Sequence, residues 1–264
     1  MNIAITGGNG FIGSHLSAMI NKLGHKIIYI SRSKRKVDKK NFYTYEDLFQ
    51  LRIKLKIDCF IHLASPNYDY ANDNSLKEGI TFLTSNILSV LDDYNCNKLI
   101  FFSSAKVYGE PSLSKEVIFY EDTNPVPISD YGKEKLKAEN KIITHANNSN
   151  LDYLIYRIPM VYGMNSNSNI IKLLNYIEKS YPFILFKNAN HLKKSFISIE
   201  NIKLYIKYNL HNLESIKCNI FNITDESNIC LNELVINYKK NINSKSLLII
   251  FPYFCLKYIS KIPI

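Results

Sequence analysis

Tyr131 and Lys135 stand four residues apart in DYGKEKLKAE, a spacing suited to moving a proton. On a helix the two side chains share one face. An ammonium beside a phenol favours the phenolate and lowers its pKa toward the working range. Tyr131 would then exchange a proton with a substrate oxygen. Such pairs are common on helix surfaces, so the neighbours must give this one its meaning. Ser103 and Ser104, in FFSSAKVYGE, follow the apolar run Lys98–Phe102. That run reads as a strand with the serines just beyond it. A hydroxyl at such an edge would hydrogen-bond a reacting oxygen and help polarise a carbonyl. Ser103 by itself reads as structural.

The second chemical feature is TGGNGFIGSHL near the start of the chain. Gly7, Gly10 and Gly13 punctuate it, and Gly8 gives the GxGxxG spacing as well. Glycine permits a tight turn and lets the backbone approach a pyrophosphate, with Asn9, Phe11 and Ile12 carried in the same turn. The motif counts only between a strand and a helix, because the helix N-terminus supplies free N–H groups and positive dipole. Here it lies between the apolar run Asn2–Thr6 and an amphipathic segment from Phe11 to Leu23 that stops at Gly24. The third feature is ISRSKRK, with four cations at Arg32, Lys34, Arg35 and Lys36. It reads as a nucleic-acid patch, a solvated face, or a pocket for one phosphate.

The elements that must position these residues alternate. Strands are predicted at Asn2–Thr6, Lys26–Ile30, Cys59–Leu63, Lys98–Phe102 and Leu151–Ile155. Helices are predicted at 11–23, 45–56 (with Thr44 and Asp47 approximating a capping box), 75–94 and 130–146. Short apolar runs alternating with helices imply βαβ units and a parallel sheet buried on both faces. The expected fold is therefore α/β: a doubly wound, Rossmann-type domain over 1–160, interleaved with a small substrate lobe over 161–264. With 264 residues, 46% of them hydrophobic, the chain can build a substantial core. No run approaches ~18 uninterrupted apolar residues, so stable membrane insertion is not expected. The tail SLLIIFPYFCLKYISKIPI reads as an amphipathic helix, with peripheral membrane contact as the alternative. MNIAITGG lacks a leader pattern, and five scattered cysteines without CxxC suit a reducing cytoplasm rather than a disulfide framework or zinc site. The net charge of +10 would help attract anions of any kind, but the chain is also rich in Lys, Asn and Ile, for which biased codon usage is the plain explanation, so net charge alone identifies no partner. No separate nucleic-acid motif accompanies it.

Together TGGNGFIG, IHLAS at 61–65, SSAKVYGE at 103–110, YGKEK at 131–135 and RIPMVYG at 157–163 resemble the extended short-chain dehydrogenase/reductase family, the epimerases, dehydratases and reductases of nucleotide sugars. The resemblance covers roughly residues 1–165 and runs more weakly to 205. It implies Ser104, Tyr131 and Lys135 as the catalytic set, Lys135 on the nicotinamide ribose, and Leu63, Ala64, Ser65 and Ile158 along the cofactor. It also implies a nucleotide-sugar substrate and, commonly, a homodimer formed through the helix that carries Tyr131. Family dehydratases place an Asp-Glu pair where this chain has Ala105 and Lys106, so dehydration is disfavoured. Lys106 matches some 4-keto sugar reductases and becomes a substrate contact by that resemblance. Epimerases often carry Asn where Met160 stands. Asn169 matches a diphosphate contact or is a plain N-cap. Lys193 and Lys194 match a basic substrate contact, Lys194 foremost, or are a solvated pair.

The end of the second predicted strand bears on the cofactor. An acid there binds the ribose 2′-hydroxyl of NAD, whereas an arginine accommodates the 2′-phosphate of NADP. Ser31 and Arg32 occupy that place, and the first acid follows only at Asp38. The expectation is thus an NADPH-dependent 4-keto nucleotide-sugar reductase. The alternatives are an NAD-dependent 4-epimerase and a non-catalytic dinucleotide sensor.

Overall fold

The computed structural model describes residues 1–32, 41–54, 56–65, 79–109, 117–166, 168–187, 193–226 and 228–252. Its strands are β1 (Asn2–Thr6), β2 (Lys26–Ser31), β3 (Phe42–Thr44), β4 (Cys59–His62), β5 (Lys98–Ser104), β6 (Asp152–Ile158), β7 (Met160–Tyr162), β8 (Phe183–Lys187), β9 (Lys193–Lys194), β10 (Phe196–Ser198), β11 (Asn219–Asn222), β12 (Ile229–Cys230) and β13 (Leu248–Pro252). Its α-helices are α1 (Phe11–Lys22), α2 (Tyr45–Phe49), α3 (Ile80–Leu91), α4 (Asp130–Ala146), α5 (Asn169–Glu178), α6 (Ile199–His211) and α7 (Leu231–Asn241). They divide into two compact units. One comprises Met1–Glu110, Phe119–Pro159 and Ile199–Ile223; the other comprises Pro111–Ile118, Met160–Ser198 and Thr224–Ile264.

The first unit is a seven-stranded sheet in the order β11-β6-β5-β4-β1-β2-β3. Every pairing in it is parallel. The chain winds outward from β1 through β2 to β3, then returns to β4 on the other side of β1. That reversal makes the carboxyl ends of β1 and β4 the switch point, where open sheets of this kind bind ligands. Apolar runs become central strands because both faces are covered. Ala4, Ile28, Phe60, Leu99 and Phe101 pack with Leu48 of α2, Ile87 of α3, and Ala138 and Ile142 of α4. Ile3, Ile5, Ile27, Ile61 and Ile100, offset by one residue, are equally buried on the opposite face. Burying each such side chain contributes roughly 1.5–3 kcal/mol.

Three sequence expectations change here. β5 runs two residues further than predicted, so Ser103 and Ser104 end the strand rather than follow it. The pairs Ser103↔Arg157 and Ser104↔Ile158 continue the ladder with β6 and draw the serines in. The helix expected over 45–56 closes at Phe49. Its start is a true capping box, with Thr44 Oγ1 accepting from the Asp47 amide and Asp47 accepting from the Thr44 amide. Leu51 then adopts φ +54°, which no α-helix continues through. β3, just before it, is too short to leave a period in the sequence. Of the helix expected over 75–94, the described part is α3; residues 75–78 lie outside the described residues.

The second unit holds three two-stranded ribbons: β7 with β10, β9 with β12, and β8 with β13. Ile177 of α5, Leu185 of β8 and Val235 of α7 form its small core. The tail read as a helix is a strand over its described part: Leu248–Pro252 pairs in parallel with Phe183–Lys187. Ile249, Ile250 and Phe251 are β-formers, and a neighbouring strand completes their hydrogen bonds. Residues 253–264 lie outside the described residues. Among the described residues no helix is long and apolar enough to cross a membrane.

Candidate functional site

Glycine geometry builds one wall at the carboxyl edge of the first unit's sheet. Gly7 leaves β1 at φ +70°, and a Cβ there would sit 2.9 Å from the Ala64 amide nitrogen. The turn after β1 therefore lies against the segment after β4. The Gly10 amide donates to the Gly7 carbonyl at 2.9 Å. A Cβ on Gly13 would come within 2.2 Å of that same oxygen, so any side chain at Gly13 would break the turn. Gly10 caps α1 without a side-chain hydrogen bond, and the first turn of α1 carries no acid. Asn9 is exposed, and Phe11 and Ile12 are half-buried. A bare helix N-terminus behind a glycine-rich turn fits a dinucleotide pyrophosphate. At the end of β2, Ser31 is half-buried and Arg32 is exposed, close enough for its charge to act on Tyr45. Lys34, Arg35, Lys36 and Asp38 lie outside the described residues.

Sequence reading missed a residue that holds the segment after β4. His62 is fully buried between Thr6, whose Oγ1 lies 2.7 Å from Nδ1, and Thr84, whose Oγ1 lies 3.1 Å from Nε2. Thr84 spends its own hydroxyl proton on the Ile80 carbonyl. Its oxygen must therefore accept from Nε2–H, which leaves Nδ1 to accept from Thr6. Thr6 Oγ1 in turn accepts from the Ala64 amide at 3.2 Å. The chain of bonds fixes one tautomer of a neutral imidazole and anchors Leu63, Ala64 and Ser65. Burial first, and then the charge of Lys135, pull the His62 pKa down to about 3. The spacing in IHLAS gave no sign of these threonine partners, which come from β1 and α3.

The opposite wall is β5 with α4. Ser104 Oγ accepts from the Lys106 amide at 3.2 Å and caps a short 3-10 turn, Ala105–Tyr108. Ser129 caps α4 by accepting from the Gly132 amide. A Cβ on Gly132 would lie 2.5 Å from the Lys106 carbonyl oxygen. Gly132 thus lets the first turn of α4, with Tyr131, close onto the turn that Ser104 caps. Sequence reading passed over Gly132 although it lies inside YGKEK. Lys135 is buried, with Nζ donating to the Phe102 carbonyl at 2.7 Å, 4.7 Å from the Phe101 ring centre and 5.8 Å from the Tyr131 ring centre. Burial pushes its pKa down to about 7, against the opposing pull of Glu139. Ser104, Tyr131 and Lys135 therefore gather at one strand end, with Ile158 beside Ser104 in the ladder. Ser103 points elsewhere, donating to the buried Glu139.

The predicted substrate contacts fall in both units. Lys106 is exposed in the 3-10 turn of the first unit. In the second unit, Asn169 is exposed as the first residue of α5, and Lys193 and Lys194 are exposed in β9. The N-cap of α5 is Ser168, so the plain-cap reading of Asn169 is corrected.

A strand–glycine turn–helix start and a Ser/Tyr/Lys cluster on the same sheet edge agree with a family model that matches residues 3–223, the NAD dependent epimerase/dehydratase family. The chain belongs to that family. Within it, the UDP-glucose 4-epimerase of Vibrio cholerae is 29% identical over 217 residues, covering 76% of this chain and 64% of that enzyme. An N-acetyl-alpha-D-glucosaminyl-diphospho-ditrans,octacis-undecaprenol 4-epimerase of Escherichia coli O157:H7 is 23% identical over 99% of this chain and 80% of its own length. The match to the Vibrio enzyme thus spans less than two thirds of that relative. In fold, the chain is similar to the UDP-N-acetylglucosamine 4-epimerase from Bacillus cereus, with TM-score 0.78, 22% identity, and 96% and 85% of the two chains covered. A UDP-glucuronic acid 4-epimerase from the same organism, solved in complex with NAD, gives TM-score 0.77 at 20% identity, over 96% and 87%.

Proposed function

We propose that this family member is an NAD-dependent 4-epimerase of a nucleotide sugar. The observation that carries the reading is the meeting of Ser104, Tyr131 and Lys135 at the sheet edge that bears the glycine turn. Two relatives of the chain are named as 4-epimerases. Bound along the Gly7–Gly13 turn and Leu63–Ser65, the dinucleotide supplies reversible hydride transfer. Tyr131 removes the proton of the sugar's C4 hydroxyl and later returns it. Ser104 holds that oxygen through both half-reactions, and Lys135 favours the Tyr131 phenolate. Asn169 and Lys194 remain proposed contacts of the substrate diphosphate. A cytoplasmic homodimer remains the proposed form.

This ordering reverses the sequence-based preference for an NADPH-dependent 4-ketoreductase. That preference rested on Arg32, and the named relatives give it no support. Arg32 and the absence of an acid before Asp38 keep the reductase as the second reading. One experiment separates them. Purified protein is denatured and its released dinucleotide identified. Intact protein is then given UDP-glucose and UDP-N-acetylglucosamine, or NADPH with a panel of 4-keto-6-deoxy nucleotide sugars. The epimerase reading expects bound NAD and interconversion of the UDP-sugar epimers without net change in reduced cofactor. Stoichiometric NADPH consumption with a 4-keto sugar, and no epimerisation, would overturn it in favour of the reductase.

A further inference from the structure

The helix that carries Tyr131 and Lys135 continues, after one more turn, to Glu139. Positions 131, 135 and 139 recur every four residues and so share the face turned to the sheet. Glu139 is fully buried. It accepts the Ser103 hydroxyl from β5 and two arms of Arg157 from β6, Nη2 at 2.7 Å and Nε at 3.2 Å. Arg157, also buried, spends Nη1 on the Tyr108 hydroxyl at 2.9 Å, and Tyr108 donates to Asn222 of β11 at 2.8 Å. The network ties both strands and the 3-10 turn to α4 immediately beneath Ser104.

A buried ion pair is a weak device for stability alone, since the desolvation of both ions offsets most of the attraction. Its placement points to another use. Lys135 is an ammonium enclosed by the Phe101 ring, the Phe102 carbonyl and Tyr131, and burial opposes its charge. The imidazole of His62 on β4 is held neutral by its threonines and offers no compensating anion. Arg157 is cationic, and the Tyr108 hydroxyl donates its proton to Asn222. Among the described residues, the anion whose charge acts on Lys135 is Glu139, one helical turn away on the same face.

We infer that Glu139 is a positioning residue for proton transfer: held by Arg157 and Ser103, it keeps Lys135 protonated in a buried site and so keeps Tyr131 primed. The inference rests on the reading of Tyr131 and Lys135 as the proton-transfer pair. It deepens that reading by naming what sets the charge state of the pair.

The test is a pH–rate profile of the full chain. Glu139→Gln retains the shape and removes the charge. Lys135 then loses its proton at lower pH, so the alkaline limb of kcat/KM should move acidward by about one unit or more, with roughly tenfold lower activity at neutral pH. KM for the sugar nucleotide should change little. Glu139→Gln alone strands the Arg157 cation, so the variant could lose its fold. Glu139→Gln/Arg157→Met removes both charges together and restores packing. If the double variant keeps the acidward limb at wild-type thermal stability, Glu139 acts through its charge. If its profile superimposes on wild type while Tyr131→Phe is inactive, the pair is structural and the inference falls. If Tyr131→Phe is itself fully active, the reading beneath it falls first.

Discussion

At the scale of single residues, the site contrasts two buried nitrogen bases. In the proposed mechanism Lys135 carries a proton to help Tyr131, whereas burial holds His62 neutral. Two variants probe the contrast. Tyr131→Phe removes the proposed acid–base oxygen and leaves the ring beside Lys135. Turnover should fall by about 10²–10⁴-fold, with the dinucleotide still co-purifying; a rate within threefold of wild type would refute the role. His62 predicts a pH effect on stability. Its folded-state pKa, about 3, lies below the ordinary 6.5 of the unfolded chain. The unfolded state therefore binds the extra proton between those values. The contribution of His62 is fully present above pH ~6.5 and is lost as pH falls toward 3, at up to about 1.4 kcal/mol per pH unit. Asn at this position presents an acceptor oxygen to Thr6 and does not titrate. Urea midpoints of His62→Asn and wild type, followed from pH 7 to 4, should differ in slope by about one proton. Parallel slopes would show that His62 protonates without consequence.

At the scale of elements, the close approach of α4 to the turn after β5 places the chemistry, and Gly132 permits it. In an exposed helix, replacing Gly by Ala gains about 1 kcal/mol. Here the new Cβ would lie 2.5 Å from a backbone oxygen that belongs to another element. Overpacking of that kind costs roughly 1–3 kcal/mol, so the sign should reverse. Gly132→Ala should lower the melting temperature and reduce kcat at least tenfold by backing Tyr131 away from Ser104; a more stable, fully active variant would show that α4 has slack. This case also explains what the sequence made legible. Elements whose cause is local were readable: β1, α1 with Gly24 at φ +78° behind it, the capping box of α2, and all of α4. What depends on a distant partner was not. β3 exists through its pairing with β2, β11 joins the sheet through β6 from 60 residues away, and β13 replaces an expected helix because β8 is there to pair with it. The site divides the same way. Tyr131, Lys135 and the glycine turn are spaced motifs, while His62, Glu139 and Gly132 matter through neighbours on other strands and turns.

At the scale of the whole molecule, the open question is which dinucleotide stabilises the fold. A ligand that binds only the native state adds RT ln(1 + [L]/Kd), about 2.7 kcal/mol at a hundredfold excess over Kd. For a chain of this length that corresponds to a melting shift of roughly 5 °C or more. Ser31 ends β2 and Arg32 follows it, and neither brings a carboxylate that would repel NAD or NADP. NAD loses one acceptor for its ribose hydroxyl, and NADP gains one exposed guanidinium. An exposed pairing of that kind is worth only about 0–1 kcal/mol. The glycine turn and the half-buried Leu63–Ala64 segment, proposed to serve either cofactor alike, should then dominate. NAD should shift the melting temperature by at least as much as NADP at equal concentration, and Arg32→Ala should leave the NAD shift intact. A clearly larger NADP shift that Arg32→Ala abolishes would instead mean that the guanidinium at the end of β2 governs cofactor choice, and would return the balance to the reductase.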